Sequence, residues 1–314
     1  MEKAKETARR IKKSFVDNMH LMSHYKRSHL AIRLFRATGM DEHNHHIRTN
    51  FDAIKGNILA DLMNYDDSEH VLNRSEVFFE ELNKNKDKKG AERQRVFANK
   101  KSDLFYFRMV ELAHIWNEMG LIEDANHDRW LEFLKNKDLK SMILDDDVFR
   151  HYSAQLVTFV YLFKFNNVVD LEEDFKQKFI EVFMNNEELD DYEYKNKIYT
   201  LTHFIIGASN YYQQFVSAEK FGWILDYFKD NINEIFQKAN ADIIAEVGLC
   251  FRLCGVNEGK EIEMVAEYLI NEFDEEKGYI PRLDGSIERS EHANSVAYLF
   301  LEGFDTLYKG PFFK

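Results

Sequence analysis

Between Lys197 and Glu219 the chain runs for 21 residues, Ile198 to Ala218, without a formal charge, although 31% of all residues are charged. A stretch of that length invites a membrane-spanning reading. Thr200, Thr202, His203, Ser209, Asn210, Gln213 and Gln214 oppose it, because polar groups have no partners in lipid. No membrane partner is expected. A helix walled in by other helices, with a polar stripe facing a cavity, reconciles the missing charge with the many polar groups. Shorter stretches of the same kind run from Tyr152 to Phe163, from Ile243 to Phe251 with Glu246 as the one interruption, and from Ala293 to Leu301. Leu171 to Val182, Phe221 to Lys238 and Glu258 to Asn271 are instead amphipathic and charged, as outer helices are.

Apolar clusters recur at three- and four-residue spacing through most of the chain, which is the helix period. The chain has only two prolines, Pro281 and Pro311, so a turn-rich β architecture is disfavoured. Thirteen helices are expected, among them 24–38, 91–119, 146–164, 191–214, 240–254 and 290–308. The lysine-rich run 83–90 is the best internal break and reads as a mobile loop within a single domain spanning 1–314. His151, His203, Glu246 and His292 mark the starts of successive shielded helices at intervals of 43 to 52 residues. That interval fits two helices and their connections. The expected class is all-α: an α/α toroid of about six helical hairpins, closed or incomplete, with an open helical solenoid as the alternative.

Charge narrows the function classes. A formal net charge of −13 opposes nucleic acid, which needs clustered Lys and Arg to displace counterions. The basic runs at Arg9–Lys13 and Lys84–Lys89 lack interleaved aromatics and read as solvated surface. Cys250 and Cys254, four residues apart on one expected helix, make a poor disulfide and are expected to stay reduced. The first ten residues lack the apolar run of a secretory signal, so a cytoplasmic location is expected. Phosphate-binding glycine loops, dinucleotide fingerprints and serine nucleophile elbows are absent, and no cofactor is expected.

The stretches Tyr25 to Gly39, Leu201 to Gln213, Asp242 to Cys250 and Glu291 to Asn294 resemble a bacterial domain-of-unknown-function family across most of the chain. Its layout is similar to α/α toroids such as six-hairpin glycosidases, polysaccharide lyases and lanthipeptide cyclases. The resemblance implies a pocket at the inner helices. It does not assign a chemistry, since one fold serves many.

Three groups of residues are candidates for that pocket. His203, Gly207, Asn210 and Tyr211 fall on one face if the helix continues through them. An imidazole beside an amide and a phenol suits proton abstraction next to a carboxylate, with His203 or Tyr211 as base and Asn210 polarising the acid group. Asp242, Glu246 and Cys250 form a second stripe. Asp242 also reads as a helix cap. Glu246, inside an apolar run, needs a partner or a wet cavity, and as an acid it would pair with a second carboxylate such as Asp284 for glycoside hydrolysis. In the loop entering the last helix, Arg282 can hold an anionic group, and His292 and Asn294 either face inward or cap the helix. His203, Glu246 or Cys250, and His292 are zinc-capable types, but no short ligand motif joins them and no metal is expected.

The expected catalytic residues are thus His203, Tyr211, Glu246 and His292, with Asn210, Asp242, Arg282, Asp284 and Asn294 binding substrate. The expected ligand is a small molecule or glycan, processed as by a lyase or hydrolase. A non-catalytic module holding a peptide or partner protein is the alternative, and the pattern sets no oligomeric state.

Overall fold

The computed structural model describes residues 2–82, 88–186, 188–282 and 284–313. Those residues are all-helical, with fifteen α-helices and one isolated β-bridge between Asp274 and Tyr279. No described helix is long and apolar enough to cross a membrane. Of the 83–90 break, residues 83–87 lie outside the described residues. Lys88 to Gly90 form the first turn of a helix, Lys88–Phe97.

The chain divides into two compact units. One joins Met1–Asn50 to Ala208–Pro311; the other is Phe51–Gly207 with Phe312–Lys314. In the first unit α15 (Ile287–Glu302) packs on α1 (Glu2–Asp17), α2 (His24–Thr38) and α13 (Ala241–Leu253). Helix α13 is flanked in turn by α12 (Gly222–Lys238) and α14 (Lys260–Asn271). Every residue of α13 from Asp242 to Leu253 is buried, whereas α12 and α14 bury one stripe each. In the second unit α9 (Asp146–Phe165) takes the shielded place, packed by α5 (Lys88–Phe97), α6 (Lys101–Glu118), α8 (Leu139–Ile143) and α10 (Glu172–Phe179). The alternation of uncharged and amphipathic helices in the sequence therefore marks which ones lie inside.

Local signals set the helix ends that matter for the site. Ser23 caps α2, its hydroxyl accepting from the Lys26 amide, and Gly39 closes the helix at φ 71°, a conformation that favours glycine. Asn240 caps α13 by accepting from the Ile243 amide, which relieves Asp242 of that role. Ser286 caps α15, so the last helix begins before the expected start at 290. The expected helix 91–119 is two helices, α5 and α6, separated at residues 98–100. The expected helix 191–214 stops at Ala208, because Asn210, Tyr211 and Tyr212 turn consecutively into the left-handed region at φ 49°, 54° and 73°.

Close helix approach depends on two glycines. A Cβ built on Gly207 would stand 2.6 Å from the Tyr161 ring, so what approaches this glycine is a neighbouring side chain rather than a ligand. A Cβ on Gly248 would stand 2.7 Å from Val265 Cγ1 and 2.8 Å from two ring atoms of Phe300, at the point where α13 meets α14 and α15. Gly248→Ala is therefore expected to lower stability by about 1–3 kcal/mol, the usual cost of overpacking. Denaturant melts of the two proteins measure it, and an unchanged midpoint would show that the helices part without cost.

Candidate functional site

Three helices of the first unit bring ionisable groups together. Helix α13 carries Asp242 and Glu246 one turn apart, both buried. Helix α15 contributes Glu291 and His292, and α2 contributes Lys26, His29 and Arg33.

Glu291 is fully buried and holds the first half of the cluster. His29 Nδ1 lies 2.9 Å from both of its carboxylate oxygens, and Lys26 Nζ lies 3.1 Å from Oε2. Burial alone would raise the Glu291 pKa, but His29, Lys26 and Arg33 outweigh it and hold the carboxyl well below its ordinary range. Burial and the Arg33 charge push the His29 pKa down to about 3. At neutral pH the pair is thus a carboxylate and a neutral imidazole. An ionised carboxylate only accepts, so Nδ1–H of His29 donates and Nε2 keeps its lone pair.

His292 holds the second half. Its Nε2 lies 3.2 Å from Glu246 Oε1 and 3.5 Å from Asp242 Oδ1, and its Nδ1 lies 3.4 Å from an Arg33 guanidinium nitrogen. A ring that donates from Nε2 to Glu246 and accepts at Nδ1 from Arg33 satisfies both neighbours. Burial pushes its pKa down, yet Asp242 and Glu246 more than compensate and raise it, with Arg33 opposing them. The side chain is 28% exposed. Beneath it, the Arg33 guanidinium lies over the Tyr212 ring at 5.4 Å, and burial lifts the Tyr212 phenol to about 12. Arg282 stands at the rim, its side chain 46% exposed and a guanidinium nitrogen 3.9 Å from Asp242 Oδ2.

One ligand atom each from Asp242, Glu246 and His292 lies within 4.8 Å of the others. Separations of 3.2 and 3.5 Å from Nε2 are also those of donors about 2.1 Å from a shared ion. The next layer fits a metal less well. A metal-bound imidazole passes its other N–H to an acceptor, and here that nitrogen faces Arg33, which only donates.

Of the expected residues, Asp242, Glu246, Arg282 and His292 meet in this cluster. Asp284 instead accepts from the Ser286 amide at 3.1 Å and pairs with Arg289 at 3.2 Å, so the carboxylate beside Glu246 is Asp242. Asn294 is wholly buried and clamps the loop: its Oδ1 accepts from the Ile280 amide, and its Nδ2 donates to the carbonyls of Ile280 and Ser290. His203 belongs to the second unit, where Nδ1 lies 3.2 Å from Thr158 Oγ1. Asn210 and Tyr211 lie beyond the end of α11 (Asp191–Ala208), so the proposed stripe on one helix face does not form. Their main-chain carbonyls accept from Gln213 and Arg36.

The family model described as Domain of unknown function (DUF3541) matches residues 4–314. The chain belongs to that family. No curated protein and no solved structure matches it. Within this DUF3541 chain, sequence reasoning passed over Lys26, His29, Arg33, Glu291 and Tyr212. The signal for the first three was available as the i, i+3, i+7 spacing of Lys26, His29 and Arg33 along one face of α2. Nothing local pointed to Tyr212 over its neighbour Tyr211.

Proposed function

We propose that the Asp242–Glu246–His292 cluster is a proton-transfer centre acting on an acidic glycan, and that its reaction is elimination. The observation that carries this reading is a partly exposed imidazole held 3.2 and 3.5 Å from two buried carboxylates. His292 and Glu246 share a proton that moves between Nε2 and Oε1. At the rim Arg282 faces the substrate and takes its carboxylate, polarising the adjacent C–H bond. The basic member of the pair removes that hydrogen as the C–O bond to the leaving sugar breaks and a C=C bond forms, and the pair passes one proton on to the leaving oxygen, which restores its own protonation state. The step consumes neither water nor an oxidant.

Hydrolysis by two carboxylates is the less favoured route. It places the carboxyl groups on either side of the scissile bond, about 5 Å or more apart. Asp242 and Glu246 instead converge on one nitrogen, His292 Nε2. The net charge of −13 disfavours nucleic acid as the ligand.

The test is incubation with uronate-containing and neutral oligosaccharides, followed by absorbance for unsaturated ends and an assay for reducing ends. Unsaturated ends are expected from the uronides only, at a rate that EDTA leaves unchanged. New reducing ends without unsaturation would replace elimination with hydrolysis. Inhibition by EDTA, reversed by a divalent ion, would make the cluster a metal site. Silence across the panel would leave a binding module.

A further inference from the structure

A column of rings leads out from the cluster. The His292 and His29 ring centres are 5.4 Å apart, and the His29 and Tyr25 ring centres 5.8 Å apart, with Tyr25 and His29 inclined by only 28°. The column ends on Tyr25, which is 55% exposed. The two inner rings are fixed by hydrogen bonds to Glu246 and Glu291. Tyr25 has a different setting, because its ring lies over a histidine and the Lys26 ammonium lies 5.9 Å from its centre.

We propose that Tyr25 is the stacking platform of a second saccharide subsite, so that the ligand is an acidic oligosaccharide rather than a single sugar. The proposal rests on the acid/base reading of His292 and Glu246 and extends it outward. A pyranose has one face of C–H groups and an edge of hydroxyls, and the C–H face lies favourably on an exposed aromatic ring. Each ring-to-ring step in the column is comparable to the length of one sugar unit. Two such steps separate Tyr25 from His292, so a sugar on Tyr25 lies two units away from the one at His292. Lys26 beside the platform and Arg282 at the rim give both positions a cation, which suits a chain carrying a carboxylate on each unit. A neutral glucan would gain the stacking but neither charge.

The test is calorimetric binding of a galacturonide ladder, from the dimer to the hexamer, on an otherwise inactive His292→Gln background so that turnover does not intervene. Tyr25→Ala is expected to weaken the hexamer about three- to tenfold and the dimer little. Tyr25→Phe, which keeps the ring, is expected to bind as the parent does. The melting temperature should not move, since the ring is largely outside the core.

Equal affinity of the Tyr25→Ala variant for the hexamer would overturn the subsite, as would an equal loss for dimer and hexamer. Absence of binding across the ladder would overturn it as well. Failure of the acid/base reading has a separate signature: His292→Gln would still turn over a uronide, whatever Tyr25 does to affinity.

Discussion

Replacement of His292 by glutamine is expected to slow turnover of a uronide by about 10²–10⁴-fold, the usual contribution of a positioned acid or base. Glutamine keeps a polar side chain opposite Glu246 but carries no exchangeable ring proton. Because the native side chain reaches solvent, the variant should fold, and circular dichroism with a thermal melt would check that. The pH profile adds a second readout. Asp242 and Glu246 raise the His292 pKa, so an activity that depends on its deprotonated form should rise through a value above 6.5. One that depends on the protonated form should fall there. In either case the inflection vanishes in the variant. A variant that turns over at the native rate would remove His292 from the chemistry.

Glu291→Ala is expected to destabilise the fold by about 3–5 kcal/mol, because it strips Lys26 and Arg33 of a buried counter-charge and His29 of its acceptor. Urea titration of both proteins measures the loss. The same pair fixes the response to acid. The folded pKa of Glu291 is depressed, so its contribution is present above the unfolded value of 4.5 and is lost as pH falls through the folded value. The folded pKa of His29 is depressed as well, from 6.5 to about 3, so stability is lost progressively below 6.5. Both act in one direction, and the chain should weaken steadily on acidification from about 6.5. His292 acts in the opposite sense: its raised pKa contributes stability at low pH that is lost as pH rises through the folded value. A flat stability curve between pH 7 and about 4 would mean that the Glu291 pair is not formed in solution.

The inner helices were legible because charge is costly inside, and a chain reveals its buried segments by what they lack. Helix α2 was found at its full span, 24–38, with Ser23 before it and Gly39 after it. Glu246 was legible for the same reason, since a carboxylate in an apolar run needs a partner. The partners themselves were hidden. Lys26, His29 and Arg33 sit on a helix with several more cationic groups, which reads as a solvated face. Only packing of α2 on α15, 262 positions from His29 to Glu291, turns it inward. The end of α11 was hidden for a different reason: three non-glycine residues adopt left-handed backbone there, and neither glycine nor proline announces the turn.

The unit that holds the cluster is built from the chain's first fifty residues and its last hundred or so, with the other unit inserted between them. On the ribosome, α2 therefore emerges long before the helix that supplies Glu291 and His292. At bacterial-to-eukaryotic synthesis rates the gap is roughly ten to fifty seconds. Through that interval the faces that α1 and α2 pack on α15 await their partner. The centre therefore cannot assemble until α15 has been synthesised.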